Sequence, residues 1–142
     1  MASYQEFKRL YNELAAMSSY ERKENAHAAY QKLEKLMQDK MGLGPGYFTT
    51  TRVACAFLAA DGQLTMEEFR LFKEIAESGC NYEELYQTVV GVSKDFRGAL
   101  QQITTRGEEI RWTAGYLAAA IFAEKGCFGE NEETTLRLIA GA

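Results

Sequence analysis

The sequence predicts an all-α fold: a single domain over residues 1–142, built as a bundle of about seven or eight helices. Helix-forming residues dominate long stretches, and the chain contains one proline, Pro45, the residue type that most often interrupts helices. No segment alternates apolar and polar residues with the period of two that is typical of a strand. The apolar fraction of 46% and the charged fraction of 25% are those of a globular protein with its own core.

The first two helices are predicted from an apolar stripe and from a capping residue. The stripe repeats every three or four residues and consists of Phe7, Leu10, Tyr11 and Leu14. This spacing predicts an amphipathic helix over residues 4–17. Ser19 is the predicted cap of a second helix that ends near Met41.

A glycine-rich segment over residues 42–46, which includes Pro45, is the predicted loop after the second helix. Glycine accepts backbone angles that other residues avoid, and proline lacks a backbone N–H, so their concentration favours a loop. A hinge in this loop would separate an N-terminal helical pair, residues 1–41, from the rest of the chain.

Six further helices are expected after this loop. Two of them begin with a capping box, in which two residues satisfy each other's free backbone amides: Thr65 with Glu68, and Asn81 with Glu84. Glycines that suit helix ends are Gly62 and Gly79, and Ser93 is expected to begin another helix. The six helices are predicted over residues 51–60, 65–78, 82–90, from 93, 108–123 and 131–140.

An internal repeat becomes visible when the chain is shifted by 64 residues, which aligns residues 53–76 with 117–140 without a gap. Several matches are alanine pairs, which the composition favours. The informative matches are Gly62 with Gly126, Glu68 with Glu132 and Ile75 with Ile139, at a turn, a first helical turn and a buried face. This predicts two helix-turn-helix units related by a pseudo-twofold axis; the alternative is that two alanine-rich hairpins align by composition.

The first copy of the repeat contains the segment from Asp61 to Glu68, which looks like the second half of an EF-hand calcium loop. In that register Asp61 is at position 5 and Glu68 at position 12, as a Ca²⁺ site requires. Positions 1 and 3 are Phe57 and Ala59, which have no side-chain oxygen, so an EF-hand site is not expected. The simpler interpretation is a structural motif of helix end and helix start, made by Gly62, Leu64 and Thr65 and repeated at Gly126.

A different site for a divalent cation remains open if the pseudo-twofold axis brings the two turns together. Hard oxygen ligands would then come from both copies: Asp61, Glu67, Glu68, Glu130 and Glu132. Lys125, at the position equivalent to Asp61, argues against a symmetric site.

The alanine-rich helix followed by the segment ADGQLTMEEF, with a weaker second copy, resembles the tellurite resistance protein B-like (TerB-like) family. The resemblance covers about residues 50–142, and the second copy departs from it at Lys125 and Gly129. It implies an all-helical fold with two related halves, acidic residues at the turns, for which metal binding has been proposed, and a stress-response or scaffold association.

Composition argues against several partners. The net charge of −4, with basic residues scattered among acidic ones, gives no surface for nucleic acid. The longest apolar segment, residues 116–123, is far shorter than a membrane span, and residues 1–14 do not have the pattern of a signal peptide. Three cysteines without a Cys-x-x-Cys pair favour reduced thiols and a cytoplasmic location.

These observations favour a non-catalytic domain that binds a protein partner, associates with itself, or binds a metal ion through its acidic turns. One alternative is a small-molecule enzyme that uses a carboxylate pair such as Glu67 and Glu68, and another is an oligomeric structural module. His27, the only histidine, lies on a charged helix and is interpreted as solvated, not as part of a catalytic relay.

Overall fold

The computed structural model describes residues 2–141, which form eight helices and no strand. The predicted all-α fold is therefore confirmed. The helices are α1 (Tyr4–Ala15), α2 (Ser19–Met41), α3 (Leu43–Leu58), α4 (Met66–Ala76), α5 (Tyr82–Lys94), α6 (Phe96–Thr104), α7 (Glu108–Lys125) and α8 (Glu130–Ala140). None of the helices in this range is both long and apolar enough to cross a membrane.

Both capping boxes that the sequence indicates form at the expected helix starts. At α4 the Glu68 amide donates to Thr65 Oγ1 at 3.1 Å, while Glu68 Oε1 accepts from the Thr65 amide at 2.9 Å. At α5 the corresponding bonds join Asn81 and Glu84 at 2.9 and 3.3 Å. Each box removes two unpaired donors from a helix end, which fixes where the helix begins.

Three predicted helix boundaries were wrong, each because a neighbouring residue takes the role. The cap of α2 is Ser18, one residue earlier than expected, and the cap of α6 is Asp95. Ser93 instead lies inside α5, because that helix continues to its end at Lys94. The residue that ends α4 is Glu77, in the left-handed conformation at φ +49°, and not Gly79.

The predicted loop over residues 42–46 was also wrong, because α3 begins at Leu43, one residue after α2 ends. Pro45 lies in the first turn of α3, where its missing N–H has no helical acceptor to lose. Gly46 lies against α2, and a Cβ atom there would be 2.5 Å from the backbone Cα of Gln38. The glycines and the proline therefore start a helix and allow two helices to touch.

No hinge separates residues 1–41 from the remainder, because both parts share one hydrophobic core. α2 packs along α3, α4 and α7, and α1 packs on α7. Five buried alanines in α7 let neighbouring helices approach closely, and the rings of Phe57 and Phe122 join α3 to α7 with centroids 6.3 Å apart. α3 and α7 thus form the centre of the bundle, and the two turns that follow them lie at its edge.

The three free cysteines differ in burial, and this difference has a measurable consequence. Cys127 is exposed and Cys80 half-buried, whereas burial raises the pKa of Cys55 from 9.0 to about 12 and also raises the pKa of Tyr30. We expect Ellman's reagent at about pH 8 to modify Cys127 first and Cys55 only after unfolding, because the thiolate is the reactive form. Equal rates for all three thiols in the folded protein would contradict this.

The raised pKa of Cys55 also predicts how the free energy of unfolding changes at alkaline pH. Between 9.0 and about 12 the folded chain keeps the Cys55 proton that the unfolded chain releases. The free energy of unfolding should therefore fall as pH rises above 9.0, and Cys55 should contribute no such slope below it. Denaturant titrations at a series of pH values, with Cys55→Ala as the comparison, measure this slope.

Candidate functional site

The first turn, between α3 and α4, is held by local hydrogen bonds and by one buried side chain. Asp61 Oδ1 accepts a hydrogen bond from the Gln63 amide at 3.0 Å. Gly62 has φ +80°, a left-handed conformation that suits glycine. Leu64 is buried, and its carbonyl oxygen accepts a hydrogen bond from the Tyr82 hydroxyl at 2.6 Å, which ties the turn to α5.

The second turn, between α7 and α8, uses the same devices at the equivalent positions. Gly126 has φ +73° and ends α7, as Gly62 turns the chain after α3. Glu132 Oε1 accepts a hydrogen bond from the Gly129 amide at 2.7 Å, as Glu68 does from the residue three positions before it. Gly129 has no side chain that could accept a hydrogen bond from the Glu132 amide, so only half of the capping box is present in the second copy.

Lys125, the last residue of α7, lies between the two turns. Its Nζ donates a hydrogen bond to the Leu58 carbonyl oxygen at 2.6 Å and forms an ion pair with Glu68 Oε2 at 2.9 Å. The Lys125 side chain is 24% exposed and that of Glu68 is 14% exposed, so solvent screens the pair only partly. One ammonium group therefore connects the ends of α3 and α7 to the start of α4.

The structure brings together three of the five acidic residues that the sequence singles out. Asp61, Glu68 and Glu132 line a small cavity of about 90 Å³ beside the Lys125 ammonium. Glu67 is exposed and lines a different groove, and Glu130 is exposed at the start of α8. The five predicted acidic residues therefore do not meet at one site, because consecutive residues on a helix point about 100° apart.

The residues around this cavity do not fit a divalent cation as they stand. Glu68 has both oxygens engaged, one with the Thr65 amide and one with Lys125. Glu132 and Asp61 each use an oxygen on a nearby backbone amide. Within residues 2–141, no group of three or more histidine, cysteine, aspartate or glutamate side chains could hold a metal ion. The arrangement fits an ammonium group instead.

Glu67 and Glu68, the pair that an enzyme would use, both line an open groove of about 500 Å³ between α2, α4 and α7. Glu68 is held by Lys125, as described above, and Glu67 is exposed. Two further carboxylates of the groove are also paired, Glu74 with Lys23 at 3.0 Å and Glu124 with Arg22 at 2.9 Å. The groove therefore presents ion pairs of mixed sign and not two free carboxylates side by side.

His27 is not the solvated residue that the sequence suggested. Its Nδ1 lies 2.6 Å from the Ile75 carbonyl oxygen, and its Nε2 lies 3.0 Å from Glu77 Oε1. The imidazole therefore joins α2 to the end of α4. Sequence reasoning missed this contact because its partners lie about fifty residues away and carry no local signal.

An apolar surface that the sequence did not single out lies at the start of α3. We call it the α3 patch: Leu43, Tyr47 and Phe48, which are 76%, 40% and 66% exposed. The Tyr47 and Phe48 rings contact each other edge to face, with centroids 5.5 Å apart. Leu43 and Tyr47 are four residues apart and share one side of α3, and the ring contact between Tyr47 and Phe48 extends this apolar surface to Phe48.

No protein-family model, curated protein or solved structure matches this chain. The resemblance to the TerB-like family therefore depends on the motif residues alone, and it remains a prediction. Those residues are Asp61, Gly62, Leu64, Thr65 and Glu68.

Proposed function

We propose that this chain is a non-catalytic helical interaction domain that associates with a second copy of itself through the α3 patch. The observation that carries the proposal is the exposure of Leu43 and Phe48, at 76% and 66%, in the first two turns of α3. Removing apolar surface from water contributes about 25 cal/mol per Å², so a contiguous apolar surface favours association.

A second copy is the favoured occupant because the patch carries almost no charge. Arg52 is the single charged residue of α3, and interfaces between identical subunits are more apolar than other protein surfaces. A twofold axis places the same surface of each copy against the other, so no separate complementary surface is needed. Gly44, where a Cβ atom would meet nothing within 4 Å, leaves room for a second helix to approach.

The size of the patch determines how tight this association should be. Tyr47 and Phe48, aromatic side chains that can each bury about 150–250 Å² when fully covered, offer roughly 200 Å² at their exposed fractions, and the smaller Leu43 adds to this area. A stable interface usually buries about 800 Å² on each partner. We therefore expect a weak dimer whose population rises with protein concentration.

Light scattering and sedimentation over a concentration range test the proposal. From about 10 μM to about 1 mM, the mean mass should rise from one chain towards two, as it does for a weak dimer. Phe48→Asp should abolish the rise, because burying an unpaired carboxylate at an interface is unfavourable. The matched control is Tyr20→Asp, an aromatic residue that is 72% exposed on α2, and it should leave the rise unchanged. A wild-type mass of one chain at the highest concentration would overturn the proposal.

Membership of the TerB-like family, a stress-response role and binding of a different protein are compatible with an interaction domain. Binding of a cation also remains a prediction, but the ion pair of Lys125 with Glu68 does not favour it. The alternative is an enzyme that uses Glu67 and Glu68 as an acid–base pair. The ion pair of Glu68 with Lys125 supports the non-catalytic proposal, because it occupies one of the two carboxylates.

A further inference from the structure

We infer that Lys125 is an internal cation: its ammonium group takes the bridging position between the two acidic turns that a divalent ion would otherwise fill. The inference is independent of self-association. It predicts that this chain joins its two helix-turn-helix units without bound metal.

The position of Lys125 in the repeat is the first support. Lys125 is equivalent to Asp61 under the shift that aligns the two units, so a basic residue stands where the first copy has a carboxylate. Its ammonium lies 2.9 Å from Glu68 Oε2, across the boundary between the two units. The substitution thus places positive charge at the meeting point of the turns.

The surroundings of the ammonium are the second support. An ammonium has three donors, and two of them are used, on Glu68 and on the Leu58 carbonyl at 2.6 Å. Leu58 is the last residue of α3, and carbonyl groups at a helix end lack helical partners and carry partial negative charge. A carboxylate and a carbonyl oxygen are also typical ligands of Ca²⁺, so the lysine uses oxygens of the kind that an ion would use.

Charge balance around the small cavity is the third support. Three carboxylates line it, those of Asp61, Glu68 and Glu132, and Lys125 is the one basic residue among its lining residues. Like charges held together at a partly buried site repel one another and destabilise the fold. The ammonium offsets that repulsion, so losing it should weaken the fold more than losing an exposed lysine.

Lys125→Asp is the test, because it restores the carboxylate of the first copy and brings a fourth acidic side chain to the cavity. Without added ions we expect the Tm to fall by about 5–10 °C, as for a loss of one or two interactions in a domain of this size. Ca²⁺ at about 5 mM should return at least half of that loss by binding the folded form. The wild-type Tm should be the same in Ca²⁺, Mg²⁺ and EDTA.

The matched control is Lys94→Asp, which makes the same charge change at the last residue of α5, on an exposed side chain that does not line the acidic cavity. It should lower the Tm much less and should not respond to Ca²⁺. A wild-type Tm that rises with Ca²⁺ would overturn the inference, as would a Lys125→Asp protein that loses no more stability than the control or gains none with Ca²⁺.

A second pair of variants covers the case in which Lys125→Asp does not fold under any condition. Lys125→Met keeps the apolar stem of the side chain, and Glu68→Gln keeps an oxygen for the Thr65 amide. If the ammonium acts through Glu68, the double variant should be no less stable than Lys125→Met alone. Additive losses of Tm would show that the two groups act independently, and would overturn the inference.

Discussion

Gly46→Ala is expected to lower the free energy of unfolding by about 3 kcal/mol or more, at the upper end of the range for overpacked interiors. The added methyl group would lie 2.5 Å from both the Cα and the amide nitrogen of Gln38, which are backbone atoms in the last turn of α2. A side chain could turn away from such a contact, but backbone atoms move only when the helical turn that contains them moves. The two helices would have to separate, which would open the core between α2 and α3.

Gly44→Ala is the matched control, because it adds the same methyl group to the same helix two residues earlier, where nothing lies within 4 Å. Alanine is favoured over glycine in helices by about 1 kcal/mol, so this variant should be neutral or slightly more stable. Urea unfolding at low protein concentration, where self-association does not contribute, compares the two. Equal stability of the two variants would contradict close packing at Gly46.

Gly115→Ala is the second substitution with a large expected effect, a loss of about 2 kcal/mol. A Cβ atom at Gly115 would lie 2.2 Å from two carbon atoms of the Phe7 ring. Phe7 is fully buried and stacks on Trp112 with centroids 5.6 Å apart, so the ring has little room to move. Overpacking typically costs about 1–3 kcal/mol, which exceeds the gain of about 1 kcal/mol from placing alanine in a helix.

A smaller partner residue should relieve this clash. The double variant Phe7→Leu with Gly115→Ala should be more stable than Gly115→Ala alone, because leucine leaves space for the methyl group. Gly91→Ala, in α5 with nothing within 4 Å of the added atom, is the control and should be stabilised by up to about 1 kcal/mol. If the double variant is less stable than Gly115→Ala alone, then α1 does not pack on α7 through this contact.

Both substitutions bear on how the candidate surfaces are positioned. Gly46 holds the first turns of α3 against α2, and the α3 patch lies on those turns. Gly115 holds α1 on α7, the helix that ends at Lys125. We therefore expect Gly46→Ala, but not Gly115→Ala, to alter self-association among molecules that remain folded.

The all-α fold class and several helix starts could be predicted from the sequence, because their causes are local. A capping box such as Thr65 with Glu68 forms between residues three positions apart, whatever the rest of the chain does. The left-handed turn at Gly62 is local in the same sense. The segment 42–46 was misjudged because a proline and glycines occur both in loops and in the first turn of a helix. Only the contact of Gly46 with Gln38 distinguishes the two.

The candidate site was predicted only in part, for a geometric reason. The repeat indicated that the turns near Asp61 and Glu132 could meet, and both residues line one cavity. Glu67 and Glu68 are adjacent in sequence and both line the groove, but only Glu68 also lines the cavity, because each step along a helix turns the side chain by about 100°. Which of two neighbouring carboxylates faces the other unit depends on how α4 packs.

The sequence by itself determined that this chain is helical, where several of its helices begin, and that one turn design occurs twice, since these features follow from hydrogen bonds within a few residues. Only the tertiary structure decided what the charged groups do. Lys125 looked like a defect in a metal site, and His27 looked solvated, until packing placed each beside oxygen atoms of distant residues. An ammonium or imidazole group is directed by the oxygens that surround it, and packing between helices determines which oxygens those are.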